Sequence, residues 1–234
     1  MNIHVDKTVA IIPAAGSGTR MESDQAKQFL DLDGLPLLVV TLKPFQSCPE
    51  VDAIVLVVPS ADVDLCRKEI VEAFGLDKVV KVVPGGKRRQ DSVRLGLEAT
   101  DGAYELVLIH DGVRPMIGEE LIKKVVNETR SHRAVITGLP VKETIKEVGN
   151  HQMILKTLDR QGVWLVQTPQ AFRYEDILAA HQEALRRDWE EASDDSLLME
   201  KFGIPVKMVA GQEENIKVTT PLDLQVARFL LDRT

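Results

Sequence analysis

The segment 8-TVAIIPAAGSGTR-20 determines how the rest of the chain is interpreted. Its first six residues form a continuous apolar run, which is typical of a β-strand covered on both faces. Small residues follow, and a glycine-rich turn of this kind lets backbone N–H groups approach a phosphate. Arg20 and, seven residues later, Lys27 supply cations beside the turn. The segment therefore predicts a strand that ends in an anion-binding loop.

Outward from this segment, short β-branched runs alternate with longer amphipathic runs. Further strands are predicted at 53–58, 78–83, 106–110, 134–140 and 206–210. Helical spacing of apolar residues is found at 62–74, 90–99, 119–130 and 174–187, and a last helix begins at Thr220-Pro221. The alternation predicts an α/β fold with a mostly parallel sheet and helices on both faces. Because ligands of such sheets bind beyond the carboxyl ends of the strands, the residues that follow each strand are the functional candidates.

Residues 142–160 interrupt this alternation. Two β-prone segments surround Gly149-Asn150, a pair typical of a hairpin turn. A two-stranded hairpin alone is marginal in water, so it must pack on something, either its own domain or a second subunit. No linker or internal repeat divides the chain. We therefore expect one domain over residues 1–234, with the hairpin as an arm.

The composition limits the class of partner. The chain has 29 Lys and Arg against 36 Asp and Glu, and this net charge of −7 argues against a nucleic-acid-coating protein. A local group of cations can still bind a small anion. Cys48 and Cys66 fit no metal or redox spacing, as in a reducing compartment. We find no signal peptide and no apolar run near the ~20 residues of a membrane span, so we expect a cytoplasmic protein without nucleic-acid or membrane partners.

The glycine-rich turn differs from the two most common phosphate loops. A dinucleotide-binding loop would have glycine where Met21 stands and an acid after the second strand, where Pro59 and Ser60 stand. A Walker loop would require Gly-Lys-Ser/Thr, whereas the chain has Gly18-Thr19-Arg20. A nicotinamide-dependent oxidoreductase is therefore disfavoured. A polyphosphate loop flanked by two cations and a plain tight turn remain as interpretations.

Six motifs, in order, resemble those of the 2-C-methyl-D-erythritol 4-phosphate cytidylyltransferase family. They are PAAGSGTRM with AKQFLDLDGLPLL (13–38), GGKRRQDSV (85–93), VLIHDGVRP (107–115), PVKETIK (140–146), TLDRQGVWLVQTPQAF (157–172) and ENIKVTTPLDL (214–224). The resemblance implies a Rossmann-like fold of the GT-A nucleotidyltransferase type with a protruding β-hairpin dimerisation arm. It also implies Mg2+-dependent transfer of CMP from CTP to methylerythritol 4-phosphate by a homodimer. Two positions depart from the family, Ala26 in place of proline and Lys87 in place of an acid, and the second leaves a side-chain contact there in doubt.

The resemblance also assigns roles to individual residues. Those expected to act in catalysis are Arg20 and Lys27, on the triphosphate, and Arg160 and Lys217, on the alcohol phosphate. Those expected to bind CTP are Pro13, Ala14, Ala15, Gly16, Gly18, Gly85, Gly86, Ser92 and Gly112. Those expected to bind the alcohol phosphate are Arg114, Thr144 and Thr219. Thr144 and Arg160, on and just beyond the hairpin, would complete the site of the neighbouring subunit.

The implied chemistry requires positioning and charge more than a base. A phosphate monoester has a second pKa of about 6 and is mostly dianionic near neutral pH, so the nucleophile needs no deprotonation. Two anions must be aligned, and fixed cations offset the electrostatic repulsion between them. Asp111 directly follows a predicted strand, where a carboxylate suits Mg2+; an Asp that only begins a turn is the alternative. For Lys27 the alternative is a solvated residue before a helix.

Neighbouring residues are expected to support the site without reacting. His110 should belong to the core or support the site from behind, and Gln167 to Gln170 should form a rigid turn before a helix, with a direct phosphate contact from Thr168 as the alternative. Of Arg88 and Arg89, at least one is interpreted as part of a solvated basic turn.

Two rival functions remain at this point. A ribitol 5-phosphate cytidylyltransferase shares the glycine-rich loop and two other motifs, although Asp159-Arg160 favours the methylerythritol enzyme. A catalytically silent nucleotide-binding module of the same fold is the other, because a fold alone does not determine function.

Overall fold

The computed structural model describes residues 6–16, 27–190 and 192–233, and of Lys27 only the backbone. In chain order the strands are β1 (Thr8–Pro13), β2 (Asp31–Leu32), β3 (Leu35–Pro36), β4 (Ala53–Val58), β5 (Val79–Pro84), β6 (Leu106–Ile109), β7 (Ala134–Pro140), β8 (Ile145–Val148), β9 (Ile154–Leu158), β10 (Trp164–Arg173) and β11 (Lys207–Ala210). The helices are α1 (Leu37–Ser47), α2 (Val63–Leu65, continued by a π-helix at Cys66–Glu72), α3 (Arg89–Glu98), α4 (Glu119–Ser131), α5 (Tyr174–Arg186), α6 (Asp195–Lys201) and α7 (Pro221–Leu231). Single 3-10 turns lie at Lys27–Phe29, Ser60–Asp62 and Asn150–Gln152.

Seven strands form the central sheet, in the order β11-β7-β10-β6-β1-β4-β5. All neighbouring pairs are parallel except those of β10, which runs antiparallel to both β6 and β7. The predicted mostly parallel sheet is confirmed. Since β1, β5, β6 and β11 point the same way, the segments that follow them meet at one edge of the sheet.

The sheet is covered on both faces because its strands are apolar on both. Alternate residues of β1 enter opposite clusters: Ala10 and Ile12 pack with side chains of α1 and α4, whereas Val9 and Ile11 pack with α3 and α5. All four are fully buried. A third, smaller cluster joins α7 to α1 and to the strand pair β2-β3. The continuous apolar runs in the sequence therefore correspond to strands that are buried on both faces of the sheet, as predicted.

The helix α7 begins as predicted. The Thr220 hydroxyl accepts a hydrogen bond from the backbone N–H of Asp223, whose carboxylate accepts one from the N–H of Thr220. This reciprocal capping satisfies N–H groups that the first helical turn leaves without partners. No helix in the described part of the chain is long and apolar enough to cross a membrane.

The prediction for Gln167 to Gln170 as a turn before a helix is wrong. These residues lie inside the ten-residue strand β10, whose pairing with β7 shifts register between Gln167 and Gln170. The Thr168–Pro169 peptide bond at this bulge is cis. Pro169 has no N–H to donate to a ladder, and a bulge is where a sheet tolerates such a residue.

The segment after β7 forms a separate hairpin of β8 and β9. Its turn is longer than the Gly149-Asn150 pair suggested, because a 3-10 turn over Asn150–Gln152 joins the strands. Both strands are largely exposed. Most apolar side chains of this hairpin are therefore exposed to solvent and not packed on the rest of the described chain.

Candidate active site

A pocket opens at the carboxyl edge of the sheet, as the topology requires. Segments that follow β1, β5, β6 and β11 contribute to its wall. It is lined by Pro13, Ala14, Ala15, Gly16, Gln28, Gly86, Lys87, Arg88, Arg89, Ser92, Asp111, Val113 and Lys217. We refer to it as the nucleotide pocket. Seven of these thirteen residues carry a charged or polar side chain, and four of the seven are cationic, so the pocket suits an anionic ligand.

Glycines allow three of these segments to converge. A Cβ on Gly85 would lie 2.4 Å from the Cβ of Ala15, and one on Gly112 would lie 2.9 Å from the Cβ of Ala14. Any larger residue would push the loops after β5 and β6 away from the loop after β1. The backbone N–H of Gly86 donates to the Ser92 hydroxyl, 3.1 Å away, so the loop after β5 is also tied to α3.

Asp111 is the centre of a buried group of charges. Its Oδ1 lies 3.1 Å from Arg89 Nε, and its Oδ2 lies 3.3 Å from Arg114 Nε and 3.0 Å from Lys217 Nζ. Burial alone would raise the pKa of the Asp111 carboxyl, but the attraction of the three cations outweighs it and lowers that pKa. Asp111 is therefore an ionised carboxylate that holds three cations in place.

Hydrogen bonds from a neutral histidine and a threonine fix the backbone of this cluster. The Thr168 hydroxyl accepts from the N–H of Asp111 and lies 3.1 Å from His110 Nδ1. His110 Nε2 lies 3.2 Å from the carbonyl oxygen of Arg114. Burial lowers the pKa of His110 to about 4, so the ring is neutral near pH 7, and the network is consistent with Nε2 carrying its proton. His110 is fully buried, as expected of a core residue, and with Thr168 it supports the backbone at Asp111.

The segment that carries Lys217 is held against the same cluster. Arg114 Nη1 donates to the carbonyl oxygen of Asn215 at 2.9 Å, and the Asn215 amide donates to the carbonyl oxygen of Thr168 at 2.7 Å. The N–H of Val218 donates to the carbonyl oxygen of Val113 at 2.8 Å. Lys217 thus projects from a segment fixed at both ends.

A second pocket shares a wall with the first. Its lining residues are Arg89, Asp111, Arg114, Val166, Gln167, Thr168, Gln170, Ser193, Asp194, Ser196, Leu197, Glu200 and Lys217. Arg89, Asp111 and Lys217 line both pockets. We call this one the acceptor pocket. Two anions bound in the two pockets would meet at a wall that carries two cations.

Most of the expected site residues in the described segments come together. Pro13, Ala14, Ala15, Gly16, Gly86, Ser92, Asp111 and Lys217 line the nucleotide pocket, Arg114 lines the acceptor pocket, and Gly85 and Gly112 lie directly behind the lining. Gly18, Arg20 and the side chain of Lys27 lie outside the described residues.

Three expected residues stand apart from both pockets. The Thr219 hydroxyl donates to Asp223 at 2.8 Å, and so belongs to the start of α7. Thr144 and Arg160 are exposed, and the Arg160 guanidinium donates to the carbonyl oxygen of Lys142. The last two therefore do not reach the pockets of their own chain in this structure.

Arg89 is a site residue that sequence reasoning missed. At least one of Arg88 and Arg89 was expected to be solvated, and that one is not Arg89, because its side chain is only 25% exposed and contacts both Asp111 and Asp195. Arg88 instead pairs with Asp91 at 2.9 Å. The two arginines are adjacent and alike in sequence, and only the start of α3 at Arg89 determines which one faces the cluster.

Gln28 is a second residue that was missed. It lines the nucleotide pocket and is 1% exposed, yet neither Oε1 nor Nε2 has a hydrogen-bond partner within the described protein. A buried amide without partners costs about 1–3 kcal/mol. The sequence feature that could have pointed to Gln28 as a site residue is its position directly after Lys27.

We expect Gln28→Met to raise the melting temperature and to raise KM, on the order of tenfold, for the CTP that the family resemblance implies. Methionine fills a similar volume without an unsatisfied polar group, so the fold gains while a contact to the ligand is lost. Thermal melts and steady-state kinetics measure both effects. A lower melting temperature with an unchanged KM would show that the amide serves only the fold.

Comparison with known proteins supports a single family. The sequence profile of the 2-C-methyl-D-erythritol 4-phosphate cytidylyltransferase family matches residues 8–233. The enzyme of that name from Syntrophus aciditrophicus (strain SB) is 44% identical over 227 residues, 97% of each chain. That from Pelotomaculum thermopropionicum is 43% identical over 227 residues, 97% of this chain and 95% of its own. The crystal structure of 4-diphosphocytidyl-2C-methyl-D-erythritol synthase from Anaerococcus prevotii DSM 20548 superposes with a TM-score of 0.85 at 37% identity, covering 98% of this chain and 100% of its own.

Proposed function

Because the chain belongs to the 2-C-methyl-D-erythritol 4-phosphate cytidylyltransferase family, we propose that it transfers CMP from CTP to 2-C-methyl-D-erythritol 4-phosphate. The products are 4-diphosphocytidyl-2-C-methyl-D-erythritol, an isoprenoid precursor of the non-mevalonate pathway, and pyrophosphate. The observation that carries this proposal is the pair of adjoining pockets with Arg89, Asp111 and Lys217 in their common wall. A transferase that joins two phosphates needs such an arrangement, because both anions must approach a shared cationic boundary.

The reaction requires no proton transfer from the protein. A phosphate oxygen of the acceptor forms a bond to the α-phosphorus of CTP, and the bond from that phosphorus to the bridging oxygen of the β-phosphate breaks. The electron pair leaves with pyrophosphate. The acceptor is already a dianion, and His110, beside the cluster, is neutral and fully buried. The protein contributes alignment and positive charge.

The cations divide between the two substrates. Lys217 lies in the common wall and would contact the reacting phosphates, while Arg114, in the acceptor pocket, would orient the acceptor phosphate. Arg20 and Lys27, by family resemblance, would hold the triphosphate from the other side. Arginine suits planar, bidentate binding of phosphate, whereas lysine acts as a point charge.

Asp111 is the residue we propose to hold Mg2+. Within the described residues, no group of three or more His, Cys, Asp or Glu could hold a metal alone. A single carboxylate still fits this ion, which keeps several waters and binds through one or two carboxylates plus substrate phosphates. When bound, Mg2+ would neutralise charge on the triphosphate. Lys217 would then contact the phosphates beside Asp111, while Arg89 stays between Asp111 and Asp195.

We also propose that the protein is a homodimer joined through the hairpin arm. Exposed apolar side chains are concentrated there: Val148 is 52% exposed, Met153 67%, and Ile154 and Leu155 62% each. Contiguous apolar surface of this kind marks an interaction site. Thr144 and Arg160, which do not reach the pockets of their own chain, would complete those of the partner. A cytoplasmic location is supported by the two buried free thiols, Cys48 and Cys66.

Pyrophosphate release from CTP and Mg2+ tests the proposed function when methylerythritol 4-phosphate and ribitol 5-phosphate are offered separately. We expect turnover with the first and none above background with the second. A preference for ribitol phosphate would contradict the substrate assignment but leave the transfer chemistry. Absence of release with both would favour the silent nucleotide-binding module.

A further inference from the structure

A second buried carboxylate lies behind the site, on α6. Asp195 is 1% exposed and its Oδ2 lies 2.7 Å from Arg89 Nη1. The same guanidinium contacts Asp111 through Nε, 3.1 Å from Oδ1. Arg89 therefore bridges two carboxylates, one in the common wall of the pockets and one beneath it. A planar guanidinium does this with two nitrogens held at a fixed angle, whereas a lysine has a single nitrogen to share between two carboxylates.

Asp195 stands at the start of a helix that is fixed to other elements. The Asp195 Oδ1 lies 3.2 Å from His181 Nε2, on α5, and both side chains are buried, although this nitrogen has no hydrogen-bond partner among the described residues. The residues around it are tied to other elements: the N–H of Ala192 donates to the Gln90 side chain at 3.0 Å, and that of Ser196 donates to the Gln170 side chain at 3.2 Å. The start of α6 is thus fixed to α3 and β10. A group fixed this firmly determines where its partner points.

Charge pairing alone does not account for this arrangement. A buried ion pair is weak support for stability, because the cost of removing the charges from water offsets their attraction. Asp111 already offers Arg89 a counter-charge, and two further cations crowd the same carboxylate. The second carboxylate, that of Asp195, also orients the Arg89 side chain. It binds Nη1 of Arg89 behind the pocket wall, which leaves Nε of Arg89 facing Asp111.

We propose that Asp195 is a positioning residue for CMP transfer, which acts through Arg89 to fix the Asp111 carboxylate and the cations that surround it. This inference rests on the proposed function, since it concerns the site where the two phosphates meet. Asp195 itself lines neither pocket. Its effect is to keep the common wall of the two pockets in one arrangement before the substrates bind, so that little reorganisation remains for the reaction.

A double-mutant cycle tests the inference on the full-length protein. We expect Asp195→Asn to lower kcat on the order of 10–100-fold, as loss of a supporting contact does at comparable sites, with KM for CTP changed by less than about threefold. Arg89→Gln should lower kcat as well. If Asp195 acts through Arg89, adding Asp195→Asn to Arg89→Gln should cause little further loss. The inference would be overturned if Asp195→Asn lowered kcat by the same factor in the wild-type protein and in the Arg89→Gln variant. It would also be overturned if Asp195→Asn alone kept the wild-type kcat.

Two further variants separate positioning from folding. Arg89→Lys keeps the charge but replaces two donors at a fixed angle by a single nitrogen, so it should fold and still lose kcat on the order of tenfold or more; wild-type turnover by this variant would also overturn the inference. Met199→Ala, on the same helix α6 but buried in the core, should lower the melting temperature while leaving kcat near wild type. Wild-type turnover with methylerythritol 4-phosphate is measured alongside, and its absence would instead count against the proposed function.

Discussion

Replacing Lys217 by alanine is expected to lower kcat on the order of 10²–10³-fold, with smaller changes in KM for either substrate. Lys217 Nζ lies 3.0 Å from Asp111 Oδ2, and the side chain lines both pockets. Two phosphates brought together at that wall repel each other, and the repulsion is strong where water is excluded. A cation between them matters most when the new bond forms, so its loss should affect turnover more than ground-state binding.

Lys207 provides a matched control. Its side chain is 39% exposed, as is that of Lys217, and its Nζ lies 2.7 Å from Glu128 Oε2 in an ion pair remote from the pockets. We expect Lys207→Ala to remain within about twofold of wild-type kcat, because exposed ion pairs contribute little. Steady-state kinetics with both substrates varied, together with a thermal melt, make the comparison. Similar kcat values for the two variants would refute the role of Lys217.

The sheet edge and the loops that carry the pocket were predictable from the sequence. The strands β1, β4 and β6 are continuously apolar because helices cover both of their faces, and such runs are visible without a structure. The carboxyl-end rule then directs attention to the residues that follow them. In this way Ala14 and Asp111 are reached from local patterns alone.

Other features depend on contacts that local sequence does not encode. The helix α1 was not predicted: it is buried on nearly every side from Leu37 to Leu42 and contains Pro44, so it shows neither amphipathic spacing nor good helix propensity. Asp195 lies 106 residues from Arg89 in the chain, and only the folded core brings them together. Arg160 is the opposite case, since the motif suggests a site residue that the single chain leaves exposed.

Mixing two inactive variants should restore activity if each site is built from two subunits. We expect Arg160→Ala and Lys217→Ala each to be nearly inactive alone. In a heterodimer of the two, one site combines the pockets of the Arg160→Ala subunit, which keep Lys217, with the arm of the Lys217→Ala subunit, which keeps Arg160. The other site carries both defects. Random association of equal amounts makes half of the dimers heterodimers, so recovery to about a quarter of wild-type turnover is expected. Co-expression with two affinity tags, followed by tandem purification, isolates the heterodimer and should raise this to about half.

A second mixture supplies the control that distinguishes a shared site from accidental stabilisation. Arg114 and Lys217 both line the acceptor pocket of one chain, so every site in a heterodimer of Arg114→Ala and Lys217→Ala carries a defect. That mixture should stay inactive although the subunits exchange equally well. Recovery in the first mixture alone places Arg160 in the partner's site, as expected for an exposed residue at the base of an arm whose own strands present Met153, Ile154 and Leu155 to solvent. Inactivity of both mixtures, with heterodimers isolated, would mean that Arg160 serves its own chain, and would require the arm to move toward the pocket beside it.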